Sequence, residues 1–335
     1  MGVNLTPIII KERVNLKDLG GKWIAVDANG ELYQFLALIR KRDGSPLTDA
    51  QGRVTSHLIG LLYRSTRLIS DFGIKLVFVF DGKPPLLKKE EIERRQEVKE
   101  RFLREYEAAK ARGELAVAFS KSVMTSRLTP DMIEDAKNLL NLLGIPYVQA
   151  PGEGEAQAAF MAARGDVWAV GSKDYDSLLF GAPRLVRFMT ISGKEFLPSK
   201  GKFRPLKPEV IQAETMLAHY GITREQLIDL AILVGTDFNR GIKGIGPKTA
   251  LKLVKEYGAI EHLPPELRLK VDKNFNAVRE VFLHPPVCED YSLEYGPLEE
   301  SGLYEFLCRA RGFSAERVEM VIRRMKTAGE SRVQA

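Results

Sequence analysis

The residues best suited to chemistry are acids placed where apolar runs end. Asp27 closes KWIAVD (22–27), Asp81 closes KLVFVFD (75–81), and DVWAVGSKD (166–174) ends in Asp174 with Asp176 just beyond. Taken singly, each Asp reads as readily as a turn starter or a helix cap. In open parallel α/β sheets, however, ligands bind beyond the carboxyl ends of the strands. Three strands ending this way therefore point to one place in space. Glu153 and Glu155 flank a glycine in QAPGEGEAQAA, just ahead of an alanine-rich helix. Residues two apart do not share a helix face, so both would reach one ligand only from a turn or a helix start. The alternative is an acidic helix N-terminus favoured by the dipole. Asp237, in VGTDFNRGIKGIG, lies between a helix and a glycine-rich turn, where it could also serve only to end the helix.

Seven carboxylates brought together repel strongly unless cations hold them. Oxygen ligands without His or Cys favour a hard ion, Mg²⁺ or Mn²⁺, over zinc. Two such ions about 4 Å apart stabilise both the attacking and the leaving oxygen of a phosphodiester displacement. With the seven acids set aside, 50 Lys and Arg face 37 remaining acids, an excess of +13 against the formal net charge of +6. The surface offered to a partner is more basic than the net charge suggests.

A second feature is RGIKGIGPKTA, with Gly241, Gly244 and Gly246 followed by Pro247 and Lys248 opening a helix. Glycines let backbone N–H groups approach a phosphate, and a helix N-terminus adds donors and a positive dipole end. Lys248 and Lys252 add charge. An ordinary glycine turn between helices is the plainer reading. The flanking helices make the segment match helix-hairpin-helix elements that track a DNA backbone without reading bases.

The elements that must position these residues follow from periodicity. Near-continuous apolar strands at 22–27, 75–81 and 166–174, with a further one at RLVRFMT (184–190), alternate with helices, as in GELYQFLALIRKR and TSHLIGLLYRSTRLISDF. That pattern predicts a parallel sheet covered on both faces. Between Lys83 and Arg112 the chain carries ten Lys or Arg and seven Asp or Glu with only a narrow apolar stripe, so a helix standing partly off the body is expected. Thr129, Pro130 and Gly144 predict N-cap, first turn and C-cap of the next helix. From about residue 208 the pattern is mostly helical, with Thr223 and Gln226 placed for a capping box, and TAGESRVQA reads as a frayed end. The 335 residues set an expectation of about two domains. Two cysteines, Cys288 and Cys308, exclude a disulfide scaffold and zinc fingers. The lack of a long apolar run or signal-like start leads us to expect a reducing intracellular compartment and no membrane.

Taken in order, DANGELYQFL, TSHLIGLLYR, VFVFDGKPPLLK, APGEGEAQAA, SKDYDSLLFG and VGTDFNRGIKGIGPKTA resemble the motifs of the flap endonucleases, the XPG family within the 5′ nuclease superfamily. The resemblance runs from Met1 to at least Arg324 and implies an α/β fold. It comprises a PIN-like core with a parallel central sheet covered by helices, a helical arch, and a helix-hairpin-helix (helix-two-turns-helix) DNA-binding region. The implied division is 1–128, including the arch at about 83–128; 129–220, completing the sheet and acidic site; 221–325, helical; and a flexible 326–335. The family's metal ligands fall on Asp27, Asp81, Glu153, Glu155, Asp174, Asp176 and Asp237. The resemblance implies two Mg²⁺ ions, for which Mn²⁺ substitutes. It also implies a cut near the junction of a 5′ single-stranded flap with duplex, leaving a 3′-hydroxyl and a 5′-phosphate, with 5′-3′ exonuclease activity beside it.

Lys88 and Arg95 would polarise the scissile phosphate, and Tyr33 would stack near the scissile nucleotide unless it is simply core. Arg40, Arg64 and Gly235 match DNA-contacting positions, as do Glu153 and Asp237. Gly244, Gly246 and Lys248 would bear on the duplex, with K⁺ held at the hairpin. Relatives serve DNA replication (Okazaki fragment maturation) and repair, and dock on a sliding clamp through a C-terminal glutamine-apolar-aromatic segment. That segment is not visible in a chain ending SRVQA. A monomer is expected, of archaeal type and so cytoplasmic and nucleoid-associated, or nuclear if the source is eukaryotic. Competing readings are another 5′ nuclease, such as an exonuclease or a junction resolvase, and a non-catalytic DNA-junction scaffold. The compact arch segment of about 45 residues argues against the first. The acids argue against the second, since acids near DNA lower affinity unless metal is bound.

Overall fold

The computed structural model describes the backbone of residues 2–191, 193–197 and 202–333, and the side chains of these except 193–197, 202–205 and 331–333. Its first half alternates strand and helix. β1 (Glu12–Arg13) and β2 (Trp23–Asp27) lead to α1 (Ala28–Leu38), α2 (Ser56–Phe72) and β3 (Lys75–Phe80). Then come α3 (Lys89–Ala111), α4 (Leu115–Ser122), α5 (Pro130–Leu142), β4 (Tyr147–Gln149), α6 (Gly154–Arg164), β5 (Ala169–Gly171), α7 (Asp176–Leu179) and β6 (Arg184–Arg187).

The second half contains β7 (Gly193–Leu197), β8 (Lys202–Leu206), β9 (Glu209–Gln212), α8 (Ala213–Tyr220), α9 (Arg224–Val234) and α10 (Pro247–Tyr257). It closes with α11 (Pro265–Arg268), α12 (Phe275–Leu283), α13 (Glu300–Leu303) and α14 (Ala315–Val333).

Seven strands form one sheet in the order β1-β9-β6-β5-β2-β3-β4. The five from β6 to β4 are parallel, while β9 runs antiparallel to both β6 and β1. The period-2 alternation of the strands builds two cores. Ile24, Val26, Leu76, Phe78 and Phe80 face the helices α1, α2, α5 and α14, whereas Ala25, Val77 and Val79 face α6, α9 and α10. Chain order reverses beside β2, with β3 on one side and β5 on the other, and at such a point the strand ends diverge and leave a crevice.

The predicted caps form. Thr129 accepts the Met132 N–H, Thr223 and Gln226 make a reciprocal capping box, and Gly144 takes φ +66° after α5. A side chain at Gly144 would collide with the Gly296 carbonyl, 2.2 Å from its Cβ position. The off-body helix is α3, which buries only Ala109 and packs chiefly on α4. In the C-terminal half, buried Asp229 of α9 accepts Arg279 of α12 at 2.8 and 3.0 Å and the Ile260 N–H at 3.1 Å. This ties α12 and the segment after α10 to α9, the helix ahead of the glycine turn.

Three expectations change. The mostly helical region from about residue 208 begins with a strand, β9, which a partner on β6 induces where four residues carry no helical signal. RLVRFMT is a strand only to Arg187, since Phe188 turns the chain with φ +60°. TAGESRVQA, expected to fray, is helix through Val333, continuous with the part of α14 that buries Val318, Val321, Ile322 and Met325 in the core. Gln334 and Ala335 lie outside the described residues.

Candidate active site

Four successive strand ends deliver six of the seven acids. β2 passes Asp27 directly into α1, where its carboxylate accepts the Gly30 N–H at 2.9 Å and caps the helix. Asp81, the residue after β3, accepts the Gly154 N–H at 2.7 Å. A Cβ on Gly154 would lie 2.9 Å from that same carboxylate, so the glycine between the two glutamates is required by close approach. Glu153 is the N-cap residue of α6 and Glu155 stands in its first turn, the helix-start placement that spacing demanded. Beyond β5, Asp174 precedes Asp176, which opens α7 and accepts the Val3 N–H at 2.8 Å. Asp237 follows α9, buried at 7% exposure. Its turn needs Gly235 at φ +108° with the Gly241 nitrogen 2.8 Å from where a Cβ would stand. The Thr236 hydroxyl bonds Asn239 at 2.7 Å to close it.

The cluster is electrostatically strained. Burial, then Asp81 and Asp174, push the Asp27 carboxyl up to about 8. Burial, then Asp237 and Asp174, push Asp176 up to about 7. Glu155 is raised well above the ordinary value by burial and by Asp176, Asp27 and Asp174, and its buried Oε1 has no partner. Burial also raises Asp81 and Glu153, against the pull of Lys88. Asp27, Asp81, Glu153, Glu155 and Asp176 each feel other acids of the set, Asp174 and Asp237 among them, as repelling charges, so the seven share one site.

Two cations from the arch sit on it. The Lys88 ammonium, 15% exposed, pairs with Glu153 and lies 3.6 Å from Asp237. Burial opposes its charge, but Glu153, Asp237 and Asp81 outweigh burial and hold it above the ordinary lysine value. Arg95 pairs with Asp237 and, at 2.8 Å, with Glu91 of its own helix.

A hard divalent ion fits the donors: all oxygen, mutually repelling, with one buried carboxylate oxygen unpartnered. Among the described residues, no three His, Cys, Asp or Glu side chains stand ready to grip one ion as they are. Lys88 and Arg95 occupy oxygens of Glu153 and Asp237, while backbone amides hold one oxygen each of Asp27, Asp81 and Asp176.

The other expected residues are placed as follows. Tyr33 is half-buried on α1, with the Lys99 ammonium of α3 4.8 Å from its ring centre, so the arch reaches over it. Arg40 donates to the Leu36 and Gly44 carbonyls at 2.9 and 2.8 Å and to the Ser126 hydroxyl at 2.9 Å, a clamp between α1 and the arch exit. Arg64 donates to the Thr190 carbonyl at 3.2 Å. Gly244 takes φ +89°, Gly246 caps α10, open space surrounds both, and Lys248 is exposed in the first turn.

Sequence reasoning missed Val3, which steadies Asp176 from 173 residues away, and Phe238, whose ring centre lies 5.8 Å from the Lys88 ammonium. It also missed buried Glu31, although its spacing four residues from Asp27 on one helix was a readable signal. A cavity of about 540 Å³ adjoins the site, lined among others by Leu87, Glu91, Gly235, Asp237 and Phe238. A larger one of about 750 Å³, near Trp23, Lys75 and Tyr295, opens at the amino ends of β2 and β3, away from the acids.

Comparison with known proteins agrees with this geometry. The XPG N-terminal domain matches residues 1–102 and the XPG I-region matches 144–237. Flap endonuclease 1 of Methanocella arvoryzae is 50% identical over 331 residues, covering 98% of this chain and 96% of that protein. Flap endonuclease 1 of Pyrococcus abyssi is 50% identical over 329 residues, 98% and 95% of the two chains. Among solved structures, flap endonuclease-1 from Methanococcus jannaschii matches with a TM-score of 0.78 at 35% identity, covering 99% of this chain and all of that one. The catalytic core of Rad2 in complex with DNA substrate matches at 0.71 with 26% identity, 96% and 97% covered. Four strand ends that converge on one acidic cluster, an arch that sets two cations on it and full-length similarity to these nucleases place the chain in the XPG family, among its structure-specific flap endonucleases.

Proposed function

We propose that the seven carboxylates hold two Mg²⁺ ions, with Mn²⁺ able to substitute, and that the chain cuts DNA near the junction of a 5′ flap with duplex, leaving a 3′-hydroxyl and a 5′-phosphate. The observation that carries this is the acidic cluster with Lys88 and Arg95 seated on it. When bound, the ions activate the attacking water and stabilise the leaving oxygen. The protein's own groups do the rest. The carboxylates fix the donor set, and Asp27, Asp81 and Asp176 are held in place by backbone N–H groups. Lys88 and Arg95 exchange their carboxylate partners for the non-bridging oxygens of the scissile phosphate as negative charge builds there. Tyr33 supports the scissile nucleotide. Gly244, Gly246 and Lys248 hold duplex through its phosphates, with K⁺ at the same turn. We read the chain as a monomer acting on chromosomal DNA in the cytoplasm, with a sliding clamp as its partner.

Cleavage of 5′-flap, nicked, gapped and single-stranded DNA, with Mg²⁺ and without metal, tests this reading. The flap is expected to be cut fastest and only with metal, and Asp176→Ala is expected to bind the flap without cutting it. Wild-type rates for Asp176→Ala at saturating Mg²⁺ would sink the two-ion site.

A further inference from the structure

Glu31 is a buried acid that the reaction as described does not use. It lies one helical turn beyond Asp27 on α1 and is only 8% exposed. Its carboxylate accepts the Thr190 hydroxyl, and the cations whose charge it feels are Lys173 and Arg64. Thr190, itself 5% exposed, accepts the Arg64 guanidinium on its backbone carbonyl at 3.2 Å. One residue thus touches both the acid and the arginine.

Thr190 reaches this place through an unusual turn. Phe188 has φ +60°, the only non-glycine residue with positive φ among the described residues, and a bulky side chain rarely adopts that conformation. The turn is braced by Arg187, whose guanidinium lies 4.2 Å from the Tyr175 ring centre and 4.5 Å from that of Phe188. Strained backbone persists where surrounding contacts over-determine it, and it clusters at functional sites. Three elements therefore meet at Thr190: its own turn after β6, α2 through Arg64, and α1 through Glu31.

A guanidinium carries five N–H donors in a rigid fork, so fixing one N–H fixes the direction of the others. We infer that Glu31 and Thr190 are positioning residues that hold Arg64 in the orientation from which it meets a DNA phosphate. This rests on the reading of Arg64 as a DNA contact. The competing account is that Glu31 and Thr190 only tie α1 to the sheet, in which case their loss lowers stability and leaves binding alone.

A double-mutant cycle on the full chain separates the two. The dissociation constant for a 5′-flap substrate is measured with Ca²⁺ in place of Mg²⁺, alongside the single-turnover rate in Mg²⁺ and the melting temperature. Arg64→Ala is expected to weaken binding about tenfold, the size of one hydrogen bond to a charged group. Glu31→Ala is expected to weaken it severalfold, with the loss falling on affinity rather than on the single-turnover rate. Glu31→Gln, which keeps an acceptor for Thr190, should recover part of the loss, and it serves alone if Glu31→Ala folds poorly. The double variant should bind no worse than Arg64→Ala. Additive losses in the double variant, or wild-type affinity in Glu31→Ala beside a weakened Arg64→Ala, would overturn the inference while leaving the reading of Arg64 standing. Wild-type affinity in Arg64→Ala would overturn both.

Discussion

Lys88 and Arg95 meet the acids before any substrate does. Each neutralises a carboxylate in the cluster, Glu153 and Asp237 respectively, so their position is set by the same charges that would hold the metal. Such cations act most strongly where phosphate charge develops, and losing one donor of this kind costs about 3–4 kcal/mol of barrier. Lys88→Ala and Arg95→Ala are therefore expected to slow single-turnover cleavage by about two to three powers of ten, with much smaller changes in substrate affinity. Rates within about threefold of wild type for both, roughly 0.65 kcal/mol, would reduce the two ion pairs to structural contacts. Asp27, Asp81, Asp174 and Asp176 were legible because periodicity reveals the strands they follow, and Glu153, Glu155 and Asp237 because glycines mark a helix start or end beside them. Lys88 was singled out through the resemblance, and Pro84 and Pro85, which stiffen the exit from β3, are the local feature consistent with its place. Val3 and Thr190 were not legible, since their contacts span more than 120 residues, and no local pattern encodes that.

At the scale of elements, the glycine turn between α9 and α10 separates two kinds of glycine. A Cβ at Gly241 would fall onto the Val234 carbonyl, so that glycine belongs to the fold. Nothing lies within 4 Å of a Cβ at Gly246, which caps α10 with no side-chain hydrogen bond. Gly246→Val is thus expected to leave the melting temperature near wild type while weakening duplex binding alike on all sequences, because it obstructs only an approaching backbone. Lys248→Ala, at an exposed first-turn position, should lower the slope of log K against log salt by about one. Sequence-dependent losses, or an unchanged salt slope, would remove the backbone-tracking role. Capped helices were readable from the sequence because Thr129, Thr223 and Gln226 carry the cap chemistry themselves. The two-residue strand β1, the β7–β8 hairpin and the antiparallel β9 were not. Short strands have no period of their own, and a partner strand distant in sequence decides them.

Across the whole molecule, the site concentrates repulsion that folding must absorb. Asp27, Asp176 and Glu31 are pushed to about 8, 7 and 7 from ordinary values near 4. Between those limits the folded chain binds more protons than the unfolded one, so these groups make stability fall as pH rises. His57 works in the opposite direction: burial depresses it to about 4 from about 6.5, so its contribution rises with pH and levels off about one unit above 6.5. Between pH 6.5 and 8 the three acids outweigh what is left of the His57 contribution, and the melting temperature of the metal-free protein is expected to fall across that window. Saturating Mg²⁺ should reverse the fall, because a ligand of the folded state adds stability by mass action. Glu155 is the sharpest case, with one buried oxygen unpartnered and three acids beside it. Glu155→Gln keeps the shape, removes the charge and can donate an N–H to those neighbours. It is expected to raise the metal-free stability at pH 8 by about 1–3 kcal/mol, the size of one relieved buried polar group, to flatten the pH dependence and to shrink the rise produced by Mg²⁺. Thermal unfolding of the two proteins with and without Mg²⁺ at both pH values decides it. A lower metal-free melting temperature in Glu155→Gln would mean that the carboxylate is a structural anchor, and that the cluster is not held together against its own charge.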